Sequence, residues 1–394
     1  MNPKAFIKKH HDKRIRNGHL WVYSNEIERI EGECSGGDII DIHLADDSFF
    51  AKGFYNKHSL ISLRILSYKK SKKLKDLFQE RFQKAFELRN LLYPGKDSFR
   101  LVFGESDLLP GLIVDKYNST FVLQVNSVGM ERNIDIITGI LKEDFNAKNI
   151  FTKSDSAFRK MEGLSEVDII YSGAKEKEII SDGTVSFNVD FEASQKTGFY
   201  FDQTINRITA SKLCSGKDVF DGFCNSGGFG LHALKQGAKS VTFADSSAEQ
   251  LAQVRNNITL NSLSSDACHF HESDLFDLLE KLKSEDRSFD VVMIDPPAFA
   301  KNKKNIPTAI KGYRKLHKLA LGVIKGEGFL VTTSCSHHIS ESEFEDIIND
   351  AAVLSNRSLK LIHKASAAPD HPKLSSMPET AYLKFLIYHV SSMS

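Results

Sequence analysis

From about residue 185 to the C-terminus, strand-length apolar runs alternate with helix-length amphipathic ones. DVFDGFC (218–224) leads into a glycine-rich turn and a helix over 228–236. SVTFAD (240–245) leads into a helix through LAQVRNNITLN, and ACHFHES ends near Asp274 ahead of another helix. FDVVMID (289–295) stops at Pro296-Pro297, and GFLVTTS stops at Cys335 before a helix over 341–354. LKLIHKA and AYLKFLIYHV close the series. A chain patterned this way folds as a mostly parallel sheet covered by helices. Ligands of such sheets bind beyond the carboxyl ends of the strands, so the residues just past each run are the ones to read for chemistry.

Ahead of this region the pattern differs. LWVYS, DIIDIHL, FFAKGFYN and LISLRILSY read as strands of a small β-domain. The basic run SKKLK follows as a hinge, and DLFQERFQKAFELRNLL (76–92) has apolar residues at helical spacing. FRLVFGE, LPGLIVDKY, STFVLQVN and VDIIYS, with a helix around 130–145, form a central α+β region. The boundaries predict a multidomain chain: a β-rich domain over 1–72, an α+β domain over 73–182 and an α/β domain over 183–394.

With 394 residues, 41% hydrophobic and 26% charged, the chain has apolar material for several cores, and disorder along its length is excluded. No stretch approaches the ~18 consecutive apolar residues of a membrane span. The N-terminus is basic but lacks the apolar centre of a secretory signal, so a cytoplasmic protein is expected. Five scattered cysteines, Cys34, Cys214, Cys224, Cys268 and Cys335, form no C-x-x-C pair, which argues against a disulfide framework and against a metal site. Net charge is +1, yet lysines cluster at 69–75 and 301–304, patches of the kind that can track a phosphate backbone.

Four strands bring polar groups to the carboxyl edge. The first supplies Asp221 and the turn GFCNSGGFG, where Gly227 and Gly228 permit close backbone approach. The helix after it offers free N–H groups to a carboxylate or phosphate. Asp245 ends the second strand, where an acid accepts hydrogen bonds from a ribose diol. Asp274 follows the third strand, placed for an adenine edge, and Asp295-Pro296-Pro297 the fourth. The glycine spacing is not G-x-G-x-x-G, which disfavours a dinucleotide-dependent oxidoreductase.

These motifs support a resemblance. The C-terminal half is similar to class I S-adenosylmethionine (SAM)-dependent methyltransferases, with a Rossmann-like α/β fold. The whole chain resembles the PUA-containing 23S rRNA cytosine-5 methyltransferase family, through RNGHLWVYSNEI, RLVFGESDLLPGLIVDKY, QKTGFYFDQTINR, VFDGFCNSGGFG, IDPPAF, TTSCSHHIS and PETAYLKFLI. The resemblance implies a PUA-like RNA-binding domain at the N-terminus, SAM as cofactor and ribosomal RNA as partner, and it is compatible with a homodimer. SAM would be held by Tyr200, Asp202, Gln203, Asp221, Phe223, Asn225, Gly227, Gly228, Asp245, Ser246, Asp274 and Asp295.

Cytosine C5 is a poor nucleophile, and a thiolate adding at C6 makes it enamine-like. Cys335, at a strand end and within an S-C-S segment resembling the nucleophile motif of RNA C5 methyltransferases, is the candidate. A second cysteine that another branch carries directly after D-P-P is Ala298 here, so Asp295, Glu379 or water must take the C5 proton. Arg14, Arg16, Phe299, Lys301, Lys303 and Lys304 are the residues expected to meet RNA, Phe299 by stacking on an extruded base. Two alternatives stay open: methylation of another RNA atom, such as guanine N7 or an exocyclic amine, and a non-catalytic RNA-binding ribosome-assembly factor.

Overall fold

A computed structural model describes residues 2–70, 73–192, 196–300 and 302–393. The chain divides into two units, one of residues 1–180, 189–201 and 369–380, the other of 181–188, 202–368 and 381–394. Among the described residues no helix is long and apolar enough to cross a membrane.

The first unit contains two sheets. Strands Trp21–Tyr23, Ile61–Ser67, Phe49–Tyr55, Ile39–His43, Lys4–Ile7 and Ile27–Glu31 lie side by side in that order. Ala5, Ile7, Val22, Ile40, Ile42, Leu63 and Ile65 form the core beneath them. The second sheet orders Ile170–Ser172, Asn149–Thr152, Thr120–Val125, Leu112–Tyr117 and Ser98–Phe103. Helix Leu74–Leu92 presses Phe78 and Phe82 into its core, and helix Ile134–Phe145 adds Ile137 and Leu141. Two of these strands are not marked in the sequence: Lys4–Ile7 is only four residues long, and Ile27–Glu31 carries three charges in five residues.

The late segment 369–380 also belongs to this unit. Met377 is wholly buried in the core of the six-stranded sheet. Arg89, fully buried, pairs with both oxygens of Asp107 and donates to the Asp370 carbonyl at 2.8 Å. Reading 183–394 as one continuous domain therefore needs two exceptions, 189–201 and 369–380, because long-range packing and not local pattern assigns them.

In the second unit seven strands form one sheet: β1 (Asp218–Gly222), β2 (Ser240–Asp245), β3 (Cys268–Glu272), β4 (Phe289–Ile294), β5 (Ile324–Ser334), β6 (Arg357–Ala365) and β7 (Lys384–Ser392). Their order is β3-β2-β1-β4-β5-β7-β6. All neighbours are parallel until β7, which runs antiparallel to β5 and β6. Near-continuous apolar runs such as FDVVMI bury both faces, as a helix-covered parallel sheet requires. Helix starts are capped locally: Ser247 accepts from the Gln250 amide, Asp274 from Phe276, and Ser340 forms a capping box with Glu343.

Register sets the functional edge. Gly222 lies opposite Ile294, and Ile294 opposite Thr332, so Asp295 and Thr333 emerge at one level beside the β1 turn. The chain reverses its outward course between β1 and β4, which opens the crevice where such sheets bind ligands.

Gly230, in the first turn of helix Gly228–Lys235, shows how tightly that crevice is built. A Cβ there would lie 2.2 Å from the Phe243 ring and 2.9 Å from Asp221 Oδ2. Gly230→Ala is expected to lose about 1–3 kcal/mol of stability, read as a lowered midpoint in chemical denaturation; an unchanged midpoint would contradict this packing.

Candidate active site

The β1 turn is held by its neighbours' side chains. Phe223, Asn225 and Gly227 all take left-handed backbone angles, with φ of 58°, 48° and 84°. For a non-glycine residue that conformation is uncommon and needs support. The Asn225 amide donates to Asp245 Oδ2 at 3.0 Å, and the Gly230 amide donates to Asp221 Oδ2 at 2.7 Å. Asp245 Oδ1 also takes the Ser247 amide at 3.0 Å, so each oxygen keeps a lone pair for a further donor. Ser246 is exposed beside it.

Asp295 is fixed from two sides. The Thr333 hydroxyl donates to Oδ1, and the Gln203 amide lies 3.3 Å from each oxygen. Gln203 is itself oriented by Asn206, whose Nδ2 donates to Gln203 Oε1 at 2.7 Å and to the Ser366 carbonyl at 3.1 Å. The Tyr382 hydroxyl donates to Asp202 Oδ2 at 2.5 Å. Arg207 is buried, its guanidinium packed against the Gly228 backbone, where a Cβ would lie 2.5 Å from Nε. It feels Asp182, Asp295, Asp202 and Asp221.

This crowding shifts the acids. Burial pushes the Asp221 carboxyl up to about 7, with Asp295 adding repulsion and Arg207 and the Gly230 amide opposing. Asp295 is raised too, chiefly by burial, against the Thr333 hydrogen bond.

Cys335 follows β5 directly and is partly exposed. The other four thiols are all pushed up by burial: Cys34, Cys214 to about 12, Cys224 well above its ordinary value, and Cys268 to about 11. Ser334 and Ser336 on either side are wholly buried and share the Tyr313 hydroxyl, at 3.1 and 3.0 Å.

The structure thus brings Gln203, Asp295 and Thr333 into direct contact, joins Asp221 to Gly230 and joins Asn225 to Asp245. The other expected site residues have the following surroundings. Tyr200 belongs to the first unit, with the Lys196 ammonium over its ring. Glu379 also belongs there, 3.4 Å from His19 Nε2. Asp274 is exposed and caps helix Leu275–Ser284. Phe299 packs on Tyr313 with ring centroids 4.6 Å apart, extending the core cluster. Arg14 pairs with Glu26, and Arg16 with Asp12, so neither charge is uncommitted. Lys303 and Lys304 are exposed, while Lys301 lies outside the described residues. Thr333, Arg207 and Tyr382 were not legible as site residues, because a threonine inside a strand, an arginine inside a helix and a loop tyrosine carry no local signal.

Two family descriptions match the chain: a PUA-like domain over residues 6–68 and an S-adenosylmethionine-dependent methyltransferase over 163–389. Ribosomal RNA large subunit methyltransferase I of Vibrio parahaemolyticus is 38% identical over 390 residues, covering 98% of each chain. The enzyme of that name from Aeromonas hydrophila is 36% identical over 393 residues, covering 98% of this chain and 99% of its own. The chain belongs to this methyltransferase family. Among solved structures, the methyltransferase SMU.776 complexed with SAH superposes with a TM-score of 0.85 at 19% identity, covering 98% of this chain and 99% of that one. A SAM-dependent methyltransferase from Streptococcus mutans gives 0.83 at 18%, with the same coverage. At such identity the likeness concerns the fold.

The donor set described above suits the family's cofactor. SAM presents a ribose diol and two cationic groups, for which the Asp245, Asp221 and Asp202 carboxyls would be acceptors of the right chemistry. It also carries a carboxylate, for which the start of helix Gly228–Lys235 supplies N–H groups.

Asp221 makes the protein's stability depend on pH. Its folded-state pKa lies above the unfolded one, so its contribution is fully present below about 4 and is lost as pH rises through about 7. Asp221→Asn keeps a carbonyl oxygen for the Gly230 amide. It is expected to flatten the decline between pH 4 and pH 7, by up to about 4 kcal/mol. Denaturant titrations of the ligand-free protein across that range test this, and parallel curves for the two proteins would contradict it.

Proposed function

We propose that the protein transfers a methyl group from SAM to C5 of a cytosine in 23S ribosomal RNA, through a covalent adduct at Cys335. The observation carrying this reading is the place of Cys335. Of five cysteines it alone stands at the carboxyl edge of the sheet and outside the buried core, one residue past the strand whose Thr333 holds Asp295. The names of the relatives support ribosomal RNA as substrate, and the PUA-like domain supports RNA as partner. Homodimer assembly is part of the same reading, and sedimentation velocity reads it directly.

The residues act in sequence. The Cys335 thiolate bonds to C6 of the cytosine, and the C5–C6 π electrons move toward C5 and the ring. Bound SAM would supply the electrophilic methyl group: C5 bonds to that carbon as its bond to the sulfonium sulfur breaks, and the electron pair stays on sulfur as a neutral thioether. Asp295 removes the C5 proton; the electron pair left behind re-forms the C5–C6 double bond as the S–C6 bond breaks and Cys335 leaves as thiolate. Burial raises the Asp295 carboxyl, which makes it a stronger base than an ordinary aspartate. Thr333 and Gln203 aim it. Tyr200, Asp202, Gln203, Phe223, Asn225, Ser246 and Asp274 belong to the cofactor side of this proposal. Exposed Lys303 and Lys304 meet phosphates of the RNA.

Cys335→Ala is expected to lower methyl transfer to unmodified ribosomal RNA on the order of 10³-fold or more. Turnover close to wild type removes the thiol from the mechanism, and mass mapping of the product nucleoside then decides for guanine N7 or an exocyclic amine. Asp295→Asn is expected to cost about 10²–10⁴-fold. The base works only when ionised, so wild-type activity should rise with pH through a limb displaced above the ordinary carboxylate range. Asp295→Asn should lack that limb, and a variant that retains it would transfer the role to water.

A further inference from the structure

Lys384 opens β7 and is paired with Ser334 across the antiparallel ladder. It is the lysine among the buried polar residues, 8% exposed. Its ammonium donates to the Ser336 carbonyl at 2.6 Å. The residues before and after Cys335 are thus both tied to Lys384, one by backbone register and the other by the ammonium itself. Among the described residues no carboxylate lies within 4.0 Å of this nitrogen. Burying an ammonium without a carboxylate is costly, and a group kept in that state needs a compensating negative charge nearby.

Titratable groups around the Ser334–Ser336 segment come from four elements. Cys335 lies at the end of β5. Glu341 and Glu343 sit in the first turn of helix Glu341–Val353, where Glu343 is engaged by Ser340. Tyr313 reaches in from helix Ile306–Gly322, committed to Ser334 and Ser336. His337 stacks near Tyr382, ring centroids 5.4 Å apart. Burial pulls the Lys384 ammonium below its ordinary value; of the groups that push it back, Cys335 leads, ahead of Glu341 and Glu343.

We propose that Lys384 is a positioning residue for the reaction: its buried ammonium holds the Cys335 sulfur as thiolate and, through the Ser336 carbonyl, fixes the backbone that presents it. The inference rests on the reading of Cys335 as nucleophile and supplies what that reading lacks, a cation to ionise the thiol near neutral pH. The lysine keeps its proton throughout. The negative charge leaves the sulfur when the S–C6 bond forms and returns when that bond breaks.

The test follows carbamidomethylation of Cys335 by iodoacetamide, resolved from the other four cysteines by peptide mass mapping, on the full chain from about pH 5 to pH 10. In the wild type the rate should rise with a midpoint below that of an ordinary cysteine thiol. Lys384→Met should alkylate about tenfold more slowly near pH 7, with the midpoint moved up by the removal of one adjacent cation. Lys384→Arg should restore most of the wild-type profile, and SAM binding by calorimetry checks that each variant is folded. Superposable profiles for wild type and a folded Lys384→Met would overturn the proposal. So would a wild-type midpoint at or above the ordinary thiol value, a result that needs no variant. Failure of the nucleophile reading is separate: Cys335→Ala would then retain methyl transfer while the alkylation profiles still responded to Lys384.

Discussion

One buried guanidinium lies within the field of four aspartates, and the carboxyl edge of the seven-stranded sheet depends on that arrangement. Asp182, Asp202, Asp221 and Asp295 would repel one another in a site stripped of water, and Arg207 offsets part of that repulsion. Burial, with part of that repulsion left over, keeps Asp221 and Asp295 raised. A half-neutralised acidic crevice suits a ligand that brings cationic groups of its own. Its charge then completes what one arginine cannot, and binding is coupled to the ionisation of the acids.

The same edge separates two kinds of sulfur. Cys224 lies in the glycine turn, where its burial, with the Asp221 and Asp245 carboxyls nearby, holds its proton on. Cys335 lies just past β5 and is partly exposed, its flanking serines anchored to Tyr313 and the carbonyl of Ser336 held by Lys384. Nucleophilic character follows from the surroundings and not from the residue type.

Much of the second unit was legible in the sequence because its strands are buried on both faces and read as unbroken apolar runs. Ser240–Asp245 appears with the bounds its letters suggest, and β5 begins earlier than GFLVTTS because Ile324 pairs with Phe289. Asp221, Asn225, Gly227 and Asp245 were legible as a group for a related reason: a turn between a strand and a helix fixes their spacing locally. Residues whose roles depend on distant segments were not. Glu379 reads as an acid just before the last strand, yet its segment packs with the first unit and faces His19. Phe299 reads as a free aromatic after D-P-P, yet Tyr313, from the following helix, takes its ring. Lys384 carries no signal in the sequence, and only the ladder to β5 shows it buried.

The return of residues 369–380 to the first unit has a consequence for synthesis on the ribosome. Met377 fills the core of the six-stranded sheet and Asp370 contacts Arg89, so that unit lacks part of its interior until residues 369–380 have emerged. Domains generally mature in the order they are translated. Here the earlier portion must wait for a segment translated after β6, and a fragment cut after residue 201 would be born with a hole where Met377 belongs.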